Sequence, residues 1–153
     1  MRAVVQRVSR ASVTADGVPR GEIEKGLFVL LGIAPDDTPG CARFLAEKIA
    51  KMRIFSDDDG RMNRSLGDVG GKIAIVSNFT LYANALHGNR PDFFGAASPD
   101  VAIPLYDRFI AEISGLVPGV VCGVFGADMQ IDCTCDGPVT ILLDTDDFKG
   151  KIK

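Results

Sequence analysis

Residues 2–14 sort into two faces at a period of two: Val4, Gln6, Val8, Arg10 and Ser12 on one, Val5, Arg7, Ser9, Ala11 and Val13 on the other. That period is the signature of a strand, here a long one, with a bulge expected near Ser9-Arg10. Asp16-Gly17 is a two-residue hairpin signal, and Val18 to Glu24 supplies the return strand. Leu27-Phe28-Val29-Leu30-Leu31 is continuously apolar, as in a strand buried on both faces. The period then changes. Thr38 before Pro39 reads as an N-cap followed by the first helical position. Cys41, Leu45, Ile49 and Met52 continue as one helical stripe. Ile54-Phe55 reads as a short strand, and Asp57-Asp58-Asp59-Gly60 as a solvated turn.

Lys72 to Ser77 is a further buried strand, and residues 84–97, rich in Gly, Asn, Pro and Ala, read as loop. Ser98-Pro99-Asp100 opens a second helix, with Val101, Leu105, Phe109, Ile110 and Ile113 as its expected apolar face. Pro104 lies inside that pattern and removes one helical hydrogen bond. Val120 to Phe125, Met129 to Thr134 and Val139 to Leu143 read as three closing strands. Residues 1–145 are expected to form a single domain, and 146–153 a charged, frayed tail. The predicted order, β-β-β-α-β-β-α-β-β-β, implies a mixed α/β fold of mostly antiparallel strands with two main helices. Helices on one face of the sheet and surplus strands on the other would make a three-layer helix/sheet/sheet stack.

Composition narrows the function classes. The 153 residues carry a net charge of −3, so the overall basic footprint of a nucleic-acid binder is absent. Any RNA contact is expected to be local, or made through shape and the 2′-hydroxyl. No apolar run has the length of a membrane span, and the first residues lack a signal-peptide core. A soluble, cytoplasmic protein is expected. Cys41, Cys122, Cys133 and Cys135 form no C-x-x-C pair and have only His87 for company, so buried, reduced thiols are expected, and neither a metal nor an organic cofactor.

Two segments depart from plain strand chemistry. Ser77-Asn78-Phe79-Thr80-Leu81-Tyr82-Ala83 places hydroxyl and amide groups where a strand ends, and Gly137-Pro138-Val139-Thr140 interrupts the last strands. Gly-Pro permits a cis peptide, since the tertiary amide lowers the trans preference to about 0.5–1 kcal/mol. A cis pair would aim two carbonyls in one direction with no side chain in the way. Ser77 and Thr80 are candidate nucleophiles, but each would need a neighbouring base. A triad through His87 lacks the G-x-S-x-G turn. The aspartates 57–59 lack the closing glutamate of a calcium loop, and Gly67 to Gly71 precedes a strand rather than a helix. Residues alone point to backbone-rich polar positions at strand ends, with no conventional catalytic base.

These segments, with Gln6-Arg7-Val8, Ala11-Ser12-Val13, Met62-Asn63-Arg64-Ser65-Leu66, Arg90-Pro91-x-Phe93 and Phe125-Gly126-Ala127-Asp128-Met129, make residues 1–144 resemble the D-aminoacyl-tRNA deacylases. The resemblance implies a homodimer that hydrolyses the ester between a D-amino acid and the 3′-terminal adenosine of tRNA. It assigns Ser77, Phe79 and Thr80 to the catalytic pocket, with the Phe79 N–H as oxyanion donor. It assigns Gly137, Pro138, Arg7, Asn78 and Met129 to substrate binding and chirality. Gly137-Pro138 of one subunit would enter the partner's pocket and accept hydrogen bonds from the substrate ammonium, with Arg7 orienting its carbonyls. An L side chain would strike Pro138, whereas glycyl-tRNA would pass. The terminal 2′-hydroxyl would stand in for a protein base. Two positions depart from the family pattern: Asn78 stands where Gln is usual, and His87 where Lys is common. The alternatives are a sister deacylase for glycyl- or small L-aminoacyl-tRNA, and a dimeric RNA-binding module without catalysis.

Overall fold

The computed structural model describes residues 1–152. Eight strands, two α-helices and two 3-10 segments follow one another as β1 (Arg2–Ala15), β2 (Val18–Ile23), β3 (Gly26–Gly32), α1 (Pro39–Lys51), β4 (Phe55–Ser56), β5 (Met62–Arg64), β6 (Lys72–Ser77), a 3-10 turn (Phe79–Tyr82), α2 (Pro99–Ser114), β7 (Val120–Cys122), β8 (Met129–Asp144) and a closing 3-10 segment (Thr145–Lys151). The fold is mixed α/β and mostly strand. β1 is the spine: it pairs antiparallel with β3 along Arg2–Val8, with β2 along Ala11–Ala15, and with β8 on its other edge. β3, β6 and β7 run parallel. Where two stacked sheets are expected, six strands form one sheet that curls until β2 approaches β7. At that approach, a Cβ on Gly21 would lie 3.0 Å from Val121. β4 and β5 make a separate ribbon.

The local reasons are legible. Asp16 and Gly17 take φ of 48° and 77°, so the hairpin turn twists with its strands. Thr38 Oγ1 accepts from the Cys41 N–H and caps α1. Gly26 permits the β3–β6 contact, because a Cβ there would lie 1.8 Å from the Lys72 carbonyl oxygen. One core lies between the helices and the sheet, around Leu45, Ile49, Phe109 and Ile113; a second fills the curl, around Val8, Val13, Phe28 and Val76.

Five expectations are corrected. The α2 face that packs inward is Ala102, Leu105, Tyr106, Phe109 and Ile113; Val101 is exposed, being 100° of helix away from Ala102. Residues 62–64 form β5, because the Asp57 carboxylate accepts from the Asp59 and Arg61 N–H groups and turns the chain back on β4. The strands expected at 129–134 and 139–143 are a single strand, β8, which also takes in Gly137-Pro138. Cys133 and Cys135 are exposed, since nothing in the protomer covers that stretch of β8. Finally, 145–151 is ordered: Asp144 caps the segment, Thr145 is buried, and the Phe148 ring packs 5.2 Å from Phe44. Lys153 lies outside the described residues.

Candidate active site

Three parallel strands end side by side, and a cavity opens at their carboxyl ends, where open α/β sheets commonly bind ligands. The cavity measures about 180 Å³. Leu31 and Ile33 come from the end of β3, Ser77, Asn78 and Phe79 from the end of β6, and Phe125 to Ala127 from the turn after β7. Met129, at the start of β8, and Ala97 and Ala102, at the entrance to α2, complete it.

The first motif is a strand, a cap and a turn. The Asn78 N–H donates to the Leu31 carbonyl at 2.8 Å, carrying the β3–β6 ladder one residue further. The Asn78 Oδ1 then accepts from the Thr80 N–H at 3.1 Å and from the Thr80 hydroxyl, and the chain winds into its 3-10 turn. Thr80 is therefore not a strand residue, and it is exposed beside the cavity rather than lining it. The Phe79 ring, 57% exposed, meets the edge of Phe93 at 5.1 Å. Arg2 braces the turn from below: it donates to the Leu81 carbonyl at 3.2 Å, lies 4.5 Å over the Tyr82 ring, and pairs with Asp144 at 2.6 Å. Burial raises the Asp144 carboxyl, but the Arg2 hydrogen bond and the Asp146 N–H outweigh it, and its pKa falls below 3.8. Burial pushes the Tyr82 phenol well above its usual 10.

The second motif is a bulge. Between the Gln6–Thr140 and Val8–Cys135 pairs, β1 has only Arg7, while β8 has Asp136, Gly137, Pro138 and Val139. The surplus loops out of the ladder with both Gly137 and Pro138 exposed and the peptide between them cis. The Arg7 guanidinium anchors this loop differently from expectation. It donates to the Asp136 carbonyl at 3.1 Å and to the Ile54 carbonyl at 2.7 Å, so the residue before Gly137 is held. The Asp136 carboxylate adds an ion pair at 3.1 Å. Gly137 takes φ of 135°, a conformation an L side chain rarely adopts.

The expected residues thus fall into two groups. Ser77, Asn78, Phe79 and Met129 share the cavity, with Thr80 at its rim; Arg7, Gly137 and Pro138 form the bulge and do not line that cavity. His87 sits in the exposed 84–92 hairpin and joins neither group. Among the described residues, no titratable side chain lines the cavity, and no cluster of His, Cys, Asp and Glu could hold a metal ion. Sequence reasoning missed Ala97, Ala102 and Phe125 as cavity walls. Apolar residues, two alanines and a phenylalanine here, look like core in a sequence, and only the convergence of three strand ends marks them. It also missed the Ile54 carbonyl as a partner of Arg7, for which a sequence holds no signal.

A cavity at parallel strand ends, walled by apolar residues with Ser77 and Asn78 as its polar members, is the candidate ligand site of this mixed α/β protein. The family model for D-Tyr-tRNA(Tyr) deacylase matches residues 4–144, and the chain belongs to that family. Curated relatives agree. A D-aminoacyl-tRNA deacylase of Roseiflexus castenholzii is 54% identical over 149 residues, covering 97% of this chain and 95% of its own. One of Deinococcus radiodurans is 55% identical over 144 residues, covering 94% and 99%. Among solved structures, the c-Myc DNA unwinding element binding protein superposes with a TM-score of 0.88 at 40% identity, over 94% of this chain and 98% of its own. A structure described as a probable eukaryotic D-amino acid tRNA deacylase shares the fold, with a TM-score of 0.78 at 19% identity over 93% and 97% of the two chains. Among the described residues, no helix is long and apolar enough to cross a membrane.

Proposed function

We propose that this chain hydrolyses the ester joining a D-amino acid to the 3′-terminal adenosine of tRNA. It acts in the cytoplasm as a homodimer without a cofactor, through residues 1–145, with 146–153 outside the catalytic unit. The observation that carries the reading is the pairing of family membership with a cavity walled by Ser77, Asn78 and Phe79 and free of titratable side chains. At about 180 Å³, the cavity holds one small moiety of the substrate, so the rest must lie across its open side. The exposed Gly137-Pro138 loop of a second protomer fits that open side, because it projects from its own sheet and has no cavity of its own to fill.

In this arrangement the Gly137 and Pro138 carbonyls accept hydrogen bonds from the substrate ammonium. With the ammonium and the ester both held, only one substituent direction at the α-carbon is open, and an L side chain meets the Pro138 ring. Glycyl-tRNA, lacking a side chain, is accepted. Water attacks the ester carbonyl, and the Phe79 N–H stabilises the oxyanion as it forms. The attacking water passes its proton to the neighbouring 2′-hydroxyl, which hands its own to O3′ as the tetrahedral intermediate collapses by breaking the acyl–O3′ bond, leaving the free acid and the 3′-hydroxyl. Ser77, Asn78, Thr80 and Met129 position the acyl group and the adenosine.

The test is deacylation of D- and L-tyrosyl-tRNA in one assay, alongside sedimentation. Hydrolysis of the D ester alone by a species of twice the 16.3 kDa chain mass is the expected result. Equal hydrolysis of both esters removes the chirality mechanism, and an active monomer removes the shared site.

A further inference from the structure

The cations of this acidic chain are unevenly placed. Residues 39–53 hold Arg43, Lys48, Lys51 and Arg53 against the single carboxylate of Glu47, although the whole chain is −3. Lys48, Lys51 and Arg53 are exposed and line a groove, distinct from the active-site cavity, at the C-terminal end of α1. The groove is built by contacts: Lys48 Nζ lies 5.3 Å over the Phe148 ring, which itself packs on Phe44. Its position relative to the candidate site is set by covalent and hydrogen-bonded links. Arg53 precedes Ile54, the Ile54 carbonyl accepts from Arg7, and Arg7 holds the Asp136 carbonyl beside Gly137. The basic groove and the Gly137-Pro138 loop are therefore fixed to each other through one guanidinium.

We infer that Lys48, Lys51 and Arg53 form the docking surface for the phosphodiester backbone of the tRNA acceptor arm, on the protomer that lends Gly137-Pro138 to its partner's cavity. The inference rests on the proposed function, since it requires the 3′ end to be seated under that loop. A strand that leaves the terminal adenosine past the elements anchoring the loop meets this groove, a cationic surface linked to them through Ile54 and Arg7. Charge complementarity selects the occupant: an acidic chain gains affinity for RNA only where its cations are local. The Lys51–Glu47 ion pair in the groove, at 3.1 Å, joins two solvent-exposed side chains, so exchanging the carboxylate for a phosphate costs little. The chain would thus read the terminal nucleoside in the cavity and the rest of the substrate, without sequence preference, on α1.

Two substrates separate the surfaces: D-tyrosyl-tRNA, which spans both, and D-tyrosyl-adenosine, which reaches only the cavity. The K48E/K51E/R53E variant is expected to lose about tenfold or more in kcat/KM on D-tyrosyl-tRNA at low salt, through KM, with kcat retained. Its activity on D-tyrosyl-adenosine should stay within about twofold of the parent. The slope of log kcat/KM against log salt should become shallower by about two, the loss of two to three phosphate contacts. The K48Q/K51Q variant removes exposed charge without reversing it, and should shift in the same direction by less. Equal losses on both substrates, or an unchanged salt slope, would overturn the inference. A parent inactive on D-tyrosyl-tRNA refutes the function instead. The groove is then judged by binding of deacylated tRNA, with a tenfold loss in the triple variant supporting it and equal affinities overturning it.

Discussion

Arg7 does at residue scale what no neighbour could. Its fork takes two carbonyls from segments distant in sequence, Ile54 and Asp136, and so ties the β4 approach to the β8 bulge. Gly137 beside it is equally constrained. A Cβ there would meet the Val139 amide nitrogen at 2.7 Å and its Cγ2 at 2.8 Å, at a φ of 135°. Gly137→Val is therefore expected to displace the loop, to cost about 1–3 kcal/mol in stability, and to abolish hydrolysis of D-tyrosyl-tRNA. Parent-level turnover by a folded Gly137→Val enzyme would remove the loop from the mechanism. Thr80 is different. Its hydroxyl is bonded to the Asn78 carboxamide, which is no base. Thr80→Ala should lower kcat only a few-fold, and an acyl-Thr80 adduct trapped from the parent would contradict that. Asn78, a departure from the family pattern at the level of sequence, turns its amide oxygen onto its own turn as an N-cap.

At the scale of elements, β8 is the unusual one. It runs for 16 residues, pairs with β1 on both sides of the bulge, and is exposed from Asp132 to Pro138. The β1–β8 pairing resumes on either side of the loop, with a second shift at Ser9, and makes the bulge a projection held at both ends rather than a free hairpin. α2 shows the opposite economy. Pro104 sits inside it on an exposed position, where it has no N–H to give the Asp100 carbonyl. The buried residues on either side, Ala102, Leu105 and Tyr106, hold the helix regardless. Pro104→Ala should restore the hydrogen bond and raise stability by about 1 kcal/mol or more, read as a higher Tm with hydrolysis unchanged. A lower Tm would mean that the proline is required by its packing.

At the scale of the molecule, the start of β1 meets the end of β8 beneath the site. The Met1 amine is bonded to Asp37 and, at 2.5 Å, to the buried Thr145 hydroxyl, while Arg2 pairs with Asp144. The pH dependence follows from such carboxylates. Asp57 and Asp68 accept hydrogen bonds chiefly from the Arg61 and Ser65 backbone, respectively, and Asp144 is held by Arg2 over the opposing effect of burial; all three titrate below the ordinary 3.8. A folded-state pKa below the unfolded value favours the folded state above the unfolded pKa, and that contribution is lost as pH falls through the folded one. Tm should therefore hold at neutral pH and decline below about pH 4. Asp144→Asn should lower Tm at pH 7 and flatten part of that decline. An acid limb identical to the parent's would leave Asp144 without the assigned role.

Short-range physics made much of this legible in the chain itself. The Asp16-Gly17 turn, the Thr38-Pro39 helix start, the buried runs of β3 and β6 and the bulge at Ser9 all follow from side-chain period, capping and backbone freedom within a few residues. The two segments stand out in the chain because hydroxyl, amide and Gly-Pro groups contradict the strands around them, while the roles proposed for them rest on the family resemblance. Other features depended on partners distant in sequence. The curl of one sheet arises from β2 reaching β7, and the cavity from three strand ends that are up to about a hundred positions apart. The union of two predicted strands into β8 required β1 to pair across the interruption. The order of residues 145–151 required Phe44 and the chain start as anchors. Arg7 carries the distinction in one side chain: its charge and length are written in the sequence, but the carbonyls it grips are chosen by the packing of β1, β4 and β8. A hydrogen bond needs both partners within about 3 Å, and only the folded chain brings Ile54 and Asp136 that close to Arg7.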